Sequence, residues 1–112
     1  MKRMDFNEYQ KLAERTDNMN MAMNDLYLNA CMGMVGEAAE TLEHMKKYMY
    51  QGHELSRDKL IEEAGDTLWY IAKMARVCGI TLEELAERNI EKLEKRYPEK
   101  KFKAERSINR LE

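Results

Sequence analysis

The chain has 112 residues, a formal net charge of −2, 44% hydrophobic and 36% charged residues. That length suits one domain with a real core and leaves no room for a second. The near-neutral charge excludes a bulk attraction to nucleic acid, and no apolar run approaches the roughly 18 residues of a membrane span.

Lys, Glu, Leu, Met and Ala dominate and Pro occurs once, a helix-forming composition. Asp5-Phe6-Asn7-Glu8 has the form of a capping box, with Asp5 as N-cap and Glu8 reaching back. Phe6, Tyr9, Leu12 and Ala13 follow at helical spacing, so a first helix is expected to about Thr16, with an irregular continuation through Asp17–Asn24 left open. The Met- and Asn-rich stretch from there to Met32 reads either as loosely packed core or as adaptable surface that meets a substrate.

A second helix is expected over Asp25–Tyr50. Its apolar arc runs from Met34, Ala38 and Met45 through Cys31, Leu42 and Met49 to Val35 and Ala39, wide enough to suggest burial on more than one side. Gly33 and Gly36 weaken a helix by about 1 kcal/mol each relative to Ala; close approach by another backbone or a ligand would explain both. Gly52 is the expected stop.

Ser56 is a good N-cap for a third helix, with Asp58 in its first turn. Leu60, Ala64, Leu68, Ile71 and Ala75 form its core stripe. Trp69 lies on the far side with Glu62, Lys73 and Arg76, and a large aromatic on a polar face points to a subunit interface. After Gly79, Thr81 and Glu84 make a capping box and Ile80 with Leu85 a hydrophobic staple. This fourth helix is expected to run to about Tyr97, closed by Pro98. The charged tail has Phe102, Ile108 and Leu111 as its large apolar groups and reads as a docking arm or a frayed end. The expectation is an all-α, four-helix single domain over residues 1–112, with a core at about 5–98 and a tail at 99–112. Cys31 and Cys78 fall in apolar patterns and are expected as buried free thiols. The opening residues lack a signal-peptide core, so a cytoplasmic protein without membrane or nucleic-acid partners is expected.

Two carboxylate pairs organise the chain: Glu37-Ala-Ala-Glu40 and Glu63-Ala-Gly-Asp66. Each has i,i+3 spacing, which puts both carboxylates on one helix face. A short link between consecutive helices packs them antiparallel, so the pairs can face each other. One such pair means little, because Glu is common on solvated helix faces. Two on adjacent helices, at the margins of core stripes, point to a hard divalent cation such as Mg²⁺. His44 lies one turn beyond Glu40 and is either a further ligand or a polar neighbour. On the fourth helix, Asn89, Lys92 and Arg96 share a face suited to phosphate oxygens, which could equally be ordinary solvated surface. No nucleophile arrangement or phosphate-binding Gly loop is present.

Gly36-Glu37-Ala38-Ala39-Glu40, then Glu62-Glu63-Ala64-Gly65-Asp66-Thr67-Leu68-Trp69-Tyr70, then Asn89-Ile90-Glu91-Lys92-Leu93 and Arg96-Tyr97-Pro98, resemble the MazG-like nucleotide pyrophosphohydrolases of the all-α NTP pyrophosphatase superfamily. The order ExxE, spacer, ExxD, Asn-x-x-Lys-Leu is shared. The resemblance implies a helical bundle completed by oligomerisation into a homodimer or homotetramer. It implies that Glu37, Glu40, Glu63 and Asp66 bind Mg²⁺, with Mn²⁺ as a substitute. Asn89, Lys92 and Arg96 would hold the phosphate chain of a nucleoside triphosphate. Hydrolysis between the α- and β-phosphates would release monophosphate and pyrophosphate, with Glu40 or Glu63 taking the water's proton. Two alternatives remain at this level: phosphoribosyl-ATP pyrophosphohydrolase, and a non-catalytic helical oligomerisation or regulatory module.

Overall fold

Every regular element among the described residues, 3–110, is helical in the computed structural model. Helix α1 spans Phe6–Glu14, and Asp5 caps it by accepting from the Glu8 backbone N–H at 2.8 Å. It ends slightly before the expected boundary, and residues 15–22 carry no regular structure apart from the turn that closes α1, so no irregular helix continues there. Helix α2 spans Met23–Tyr50 and stops where Gly52 adopts φ +73°, a left-handed conformation that an L side chain resists. Helix α3 spans Arg57–Val77, with the Ser56 hydroxyl accepting from Lys59 N–H at 3.2 Å. Helix α4 spans Leu82–Arg96, with Thr81 Oγ1 accepting from Glu84 N–H at 3.0 Å. Each expected N-cap is thus in use. The tail holds a short fifth helix, α5, at Ala104–Ile108. It folds back on the end of α4: Phe102 meets the Tyr97 ring at 5.9 Å, and Glu99 accepts from Arg106 at 2.7 Å. Leu111 lies outside the described residues.

Helices α2 and α3 form the central hairpin and share the most extensive packing. At its turn the Ser56 N–H donates to His44 Nε2 at 3.2 Å. Helix α1 lies across α3 and the start of α4. Gln10 fastens it there, donating to the Ile80 carbonyl at 3.1 Å and accepting from Leu82 N–H at 3.0 Å.

The core enclosed by one copy is small: Ala13, Leu26, Ala30, Ala72, Ala75, Val77 and Leu82 are its buried apolar residues. Within one copy, two of the expected core surfaces stay uncovered. The arc of α2 is not buried within the chain, since Val35 and Leu42 are each 71% exposed. Along the α3 stripe only Ala75 is fully buried, and Ala64 is exposed. Both helices turn apolar surface outward, and a groove lined by Ala38, Thr41, Ala64, Thr67, Leu68 and Ile71 runs between them. Cys31 and Cys78 are free, exposed thiols within the single chain, not the buried ones expected.

The opposite face of α3 also differs from expectation. Residues 15–22 cover it, and Lys73 is 1% exposed. Its ammonium donates to Asp17 at 2.8 Å and to Asn29 at 2.7 Å, while Arg76 Nη1 reaches the other Asp17 oxygen at 2.6 Å. Trp69 is half-buried rather than outward, and its indole N–H donates to Thr16 Oγ1 at 3.1 Å. Among the described residues no helix is long and apolar enough to cross a membrane.

Candidate metal centre

The i,i+3 spacing of Glu63 and Asp66 puts both carboxylates on the side of α3 that meets α2, and the hairpin brings Glu37 opposite them. Glu37, Glu63 and Asp66 each offer a carboxylate oxygen, and these oxygens all lie within 4.8 Å of one another. Glu63 is only 7% exposed, and its Oε2 is shielded from solvent with no hydrogen-bond partner. Within hydrogen-bonding reach of Glu63 stands another carboxyl, that of Glu40. Glu40 itself is exposed at the edge of the cluster.

Burial, and after it the crowding of like charge, raises the pKa of Glu37 and Glu63. Burial first, then Glu40 and Asp66, pushes the Glu37 carboxyl above the ordinary value of 4.5. Glu63 is raised above the same value by burial, then by the hydrogen bond and charge of Glu40, then by Asp66 and Glu37. A buried carboxylate oxygen without a donor, surrounded by further carboxylates, is costly in the absence of positive charge. Hard oxygen donors at this spacing suit Mg²⁺ or a similar divalent cation, so the residues present fit the expected metal.

Two aromatic side chains complete the surroundings. A cavity of about 300 Å³ is lined by Glu37, Asp66, Trp69 and Tyr70. The Tyr70 ring lies where a Cβ on Gly33 would sit, so the close approach expected at Gly33 comes from an aromatic ring. Gly36 has open space beside it, and nothing in the chain explains it by contact. Tyr9 of α1 also reaches this region: its phenol is pushed up by burial and then by the Asp66 charge. Sequence reasoning placed Tyr9 only on the apolar face of α1, because the crossing of α1 over α3 cannot be read from periodicity.

His44 is engaged at the hairpin turn as an acceptor, the polar neighbour of the two alternatives. Asn89, Lys92 and Arg96 do not join the acidic cluster. Asn89 and Lys92 are exposed, Arg96 is half-buried, and none of the three lines the cavity.

The chain is 36% identical over 69 residues to the Gene 37 protein of Mycobacterium phage L5, covering 58% of this chain and 60% of that relative. It therefore spans less than two thirds of the relative's length. No solved structure matches the chain significantly. The MazG nucleotide pyrophosphohydrolase domain matches residues 25–100, a stretch that includes both carboxylate pairs and the Asn89–Leu93 segment. The chain belongs to the MazG nucleotide pyrophosphohydrolase family.

Proposed function

We propose that the chain is a Mg²⁺-dependent nucleoside triphosphate pyrophosphohydrolase that cuts between the α- and β-phosphates. The observation that carries this reading is the Glu37–Glu63–Asp66 cluster with its buried, donorless Glu63 oxygen. These three side chains would hold the ion, with Glu40 beside them; Mn²⁺ offers the same hard acceptor and could replace it. When bound, the metal would neutralise phosphate charge and acidify a water molecule. Glu40 is exposed and stands outside the tight group of three, which favours it over Glu63 as the acceptor of the water's proton. The water oxygen would attack the α-phosphorus, the bond to the bridging oxygen would break, and pyrophosphate would leave. Such an activity suits the cleansing of a nucleotide pool or control of its supply.

We further propose that the working unit is an oligomer of this chain. The Cα radius of gyration is 17.1 Å, against about 13 Å for a compact domain of this length. The accessible surface is 8805 Å², against about 6,400 Å² for a folded monomer of this mass. The excess is of the size that permanent subunit interfaces bury, and the apolar groove of α2 and α3 is the surface to cover. Residues 87–95 of α4 are all exposed, so Asn89 and Lys92 can serve as phosphate ligands if a second copy brings α4 to the carboxylates, with the half-buried Arg96 one turn beyond Lys92.

The test is hydrolysis in water labelled with heavy oxygen. Attack at the α-phosphorus leaves the label in the monophosphate. Label in pyrophosphate, or release of orthophosphate as the first product, contradicts the reading.

A further inference from the structure

We propose that Trp69 is the platform on which the base of the bound nucleotide stacks, so that the site selects triphosphates carrying a planar ring over bare polyphosphates. This inference rests on the nucleotide-hydrolysing reading of the carboxylate cluster and adds to it the part of the substrate that the carboxylates cannot recognise.

The cavity beside the cluster has one acidic wall, Glu37 and Asp66, and one aromatic wall, Trp69 and Tyr70. At about 300 Å³ it reaches the range of small-molecule sites, roughly 300–1,000 Å³. A cation with a few waters, at roughly 30 Å³ per water, would leave much of it empty. The metal and phosphates account for the acidic wall. Nothing in that chemistry needs an indole.

Trp69 is held as a binding platform has to be held. Its Nε1–H donates to Thr16 Oγ1 at 3.1 Å, and the Thr16 hydroxyl in turn donates to the Ala13 carbonyl at 3.1 Å. The next residue, Asp17, is fixed to α3 itself by Lys73 at 2.8 Å and Arg76 at 2.6 Å. Both the indole and its hydrogen-bond acceptor are therefore anchored to one helix, by an ion cluster in which the Lys73 and Asp17 side chains are each 2% exposed. On the other side the Tyr70 ring meets Trp69 edge to face, with centroids 4.8 Å apart and planes at 79°. Tyr70 is itself seated against Gly33. An indole fixed at its N–H and braced by a second ring loses little freedom when a ligand stacks on it, which favours binding. Asp66 and Trp69 are one helical turn apart on α3, so a ring on Trp69 lies within reach of phosphates held at the carboxylates.

Trp69 is the single tryptophan of the chain, so its fluorescence reports this contact alone. The full-length protein is titrated with nucleoside triphosphates, excited outside their absorption, with Ca²⁺ replacing Mg²⁺ to hold back turnover. Inorganic tripolyphosphate is the ringless control. Saturable quenching by nucleotides, with tripolyphosphate competing for the site but leaving emission unchanged, supports the proposal. Trp69→Leu should then raise the nucleotide KM about tenfold, as stacking losses do, while the inhibition constant of tripolyphosphate holds. Trp69→Phe, which keeps a smaller ring, should recover most of the loss. Equal quenching by tripolyphosphate, or silent emission while nucleotide is hydrolysed, overturns the platform and leaves the hydrolase reading intact. Emission that follows protein concentration instead of nucleotide also overturns it, placing Trp69 in a subunit contact. Nucleotide quenching in a protein that releases no pyrophosphate would support the platform while the hydrolase reading failed.

Discussion

Lys73 and Asp17 form an ion pair 2.8 Å long in which both side chains are 2% exposed, joining the last turns of α3 to the irregular segment after α1. Asp17 also takes Arg76, which Glu14 approaches at 3.8 Å, so Asp17 is the one carboxylate shared by both cations. Removing one partner of a buried pair leaves charge uncompensated and costs about 3–5 kcal/mol. Asp17→Ala should fall in that range by urea denaturation. Lys73→Met should cost less, because Asp17 keeps Arg76 and the methionine fills the space. Equal, small losses in both would show the cluster to be energetically idle.

The metal centre makes a prediction about pH. Glu37 and Glu63 have folded-state pKa values above the ordinary 4.5, so between the unfolded and folded values the folded apo protein holds more protons than the unfolded chain. Apo stability from these groups is therefore greatest below 4.5 and is lost as pH rises through the raised values. Mg²⁺ binds the deprotonated carboxylates, so it should raise Tm at neutral pH and lose that effect in acid. Glu63→Gln should raise the apo Tm at neutral pH and abolish the Mg²⁺ shift. A Tm shift by Mg²⁺ that survives in Glu63→Gln would locate the ion elsewhere.

Helix α4 supplies a separate test. If Lys92 contacts phosphate, losing that charge-assisted bond costs roughly 1.5–3 kcal/mol. Lys92→Ala should then lower kcat/KM about ten- to a hundredfold, with Mg²⁺ affinity in the absence of nucleotide nearly unchanged. An unaltered kcat/KM would return Lys92 to ordinary solvated surface.

The outward apolar face predicts assembly. Val35 and Leu42 are seven residues apart on one row of α2, each 71% exposed. Sedimentation at micromolar concentration should find a dimer or larger species. Leu42→Glu should weaken it by on the order of a hundredfold or more, since an unpaired charge would be buried. A compact wild-type monomer would contradict the proposed oligomer.

How much of this was legible in the sequence follows from which forces are local. Capping by Asp5, Ser56 and Thr81 depends on neighbours three residues away, and all three caps form. The i,i+3 carboxylate pairs and the short link at Gly52 likewise bring Glu37, Glu63 and Asp66 together, while Glu40, the fourth of the expected set, stays outside the tight group. What periodicity could not give was which neighbour covers each helix face. Lys73 and Arg76 read as solvated because charged residues usually are; their burial depends on Asp17 arriving from another segment. The apolar arcs of α2 and α3 were real, but a hydrophobic stripe does not say whether its own chain covers it. Tyr9 and Trp69 escaped notice as neighbours of the site because both relations depend on how α1 and residues 15–22 cross α3.

The central claim is that the carboxylate cluster binds Mg²⁺ and cuts nucleoside triphosphates between the α- and β-phosphates. It is tested most directly by measuring pyrophosphate release from a panel of canonical and modified nucleoside triphosphates. Wild-type protein and Glu37→Gln, Glu63→Gln and Asp66→Asn are assayed side by side, with Mg²⁺ and with chelator. The account predicts stoichiometric monophosphate and pyrophosphate from wild type with Mg²⁺ on at least one nucleotide, and loss of release with chelator and in all three folded variants. Pyrophosphate release that persists in chelator, or at near-wild-type rate in any of the three, would contradict it.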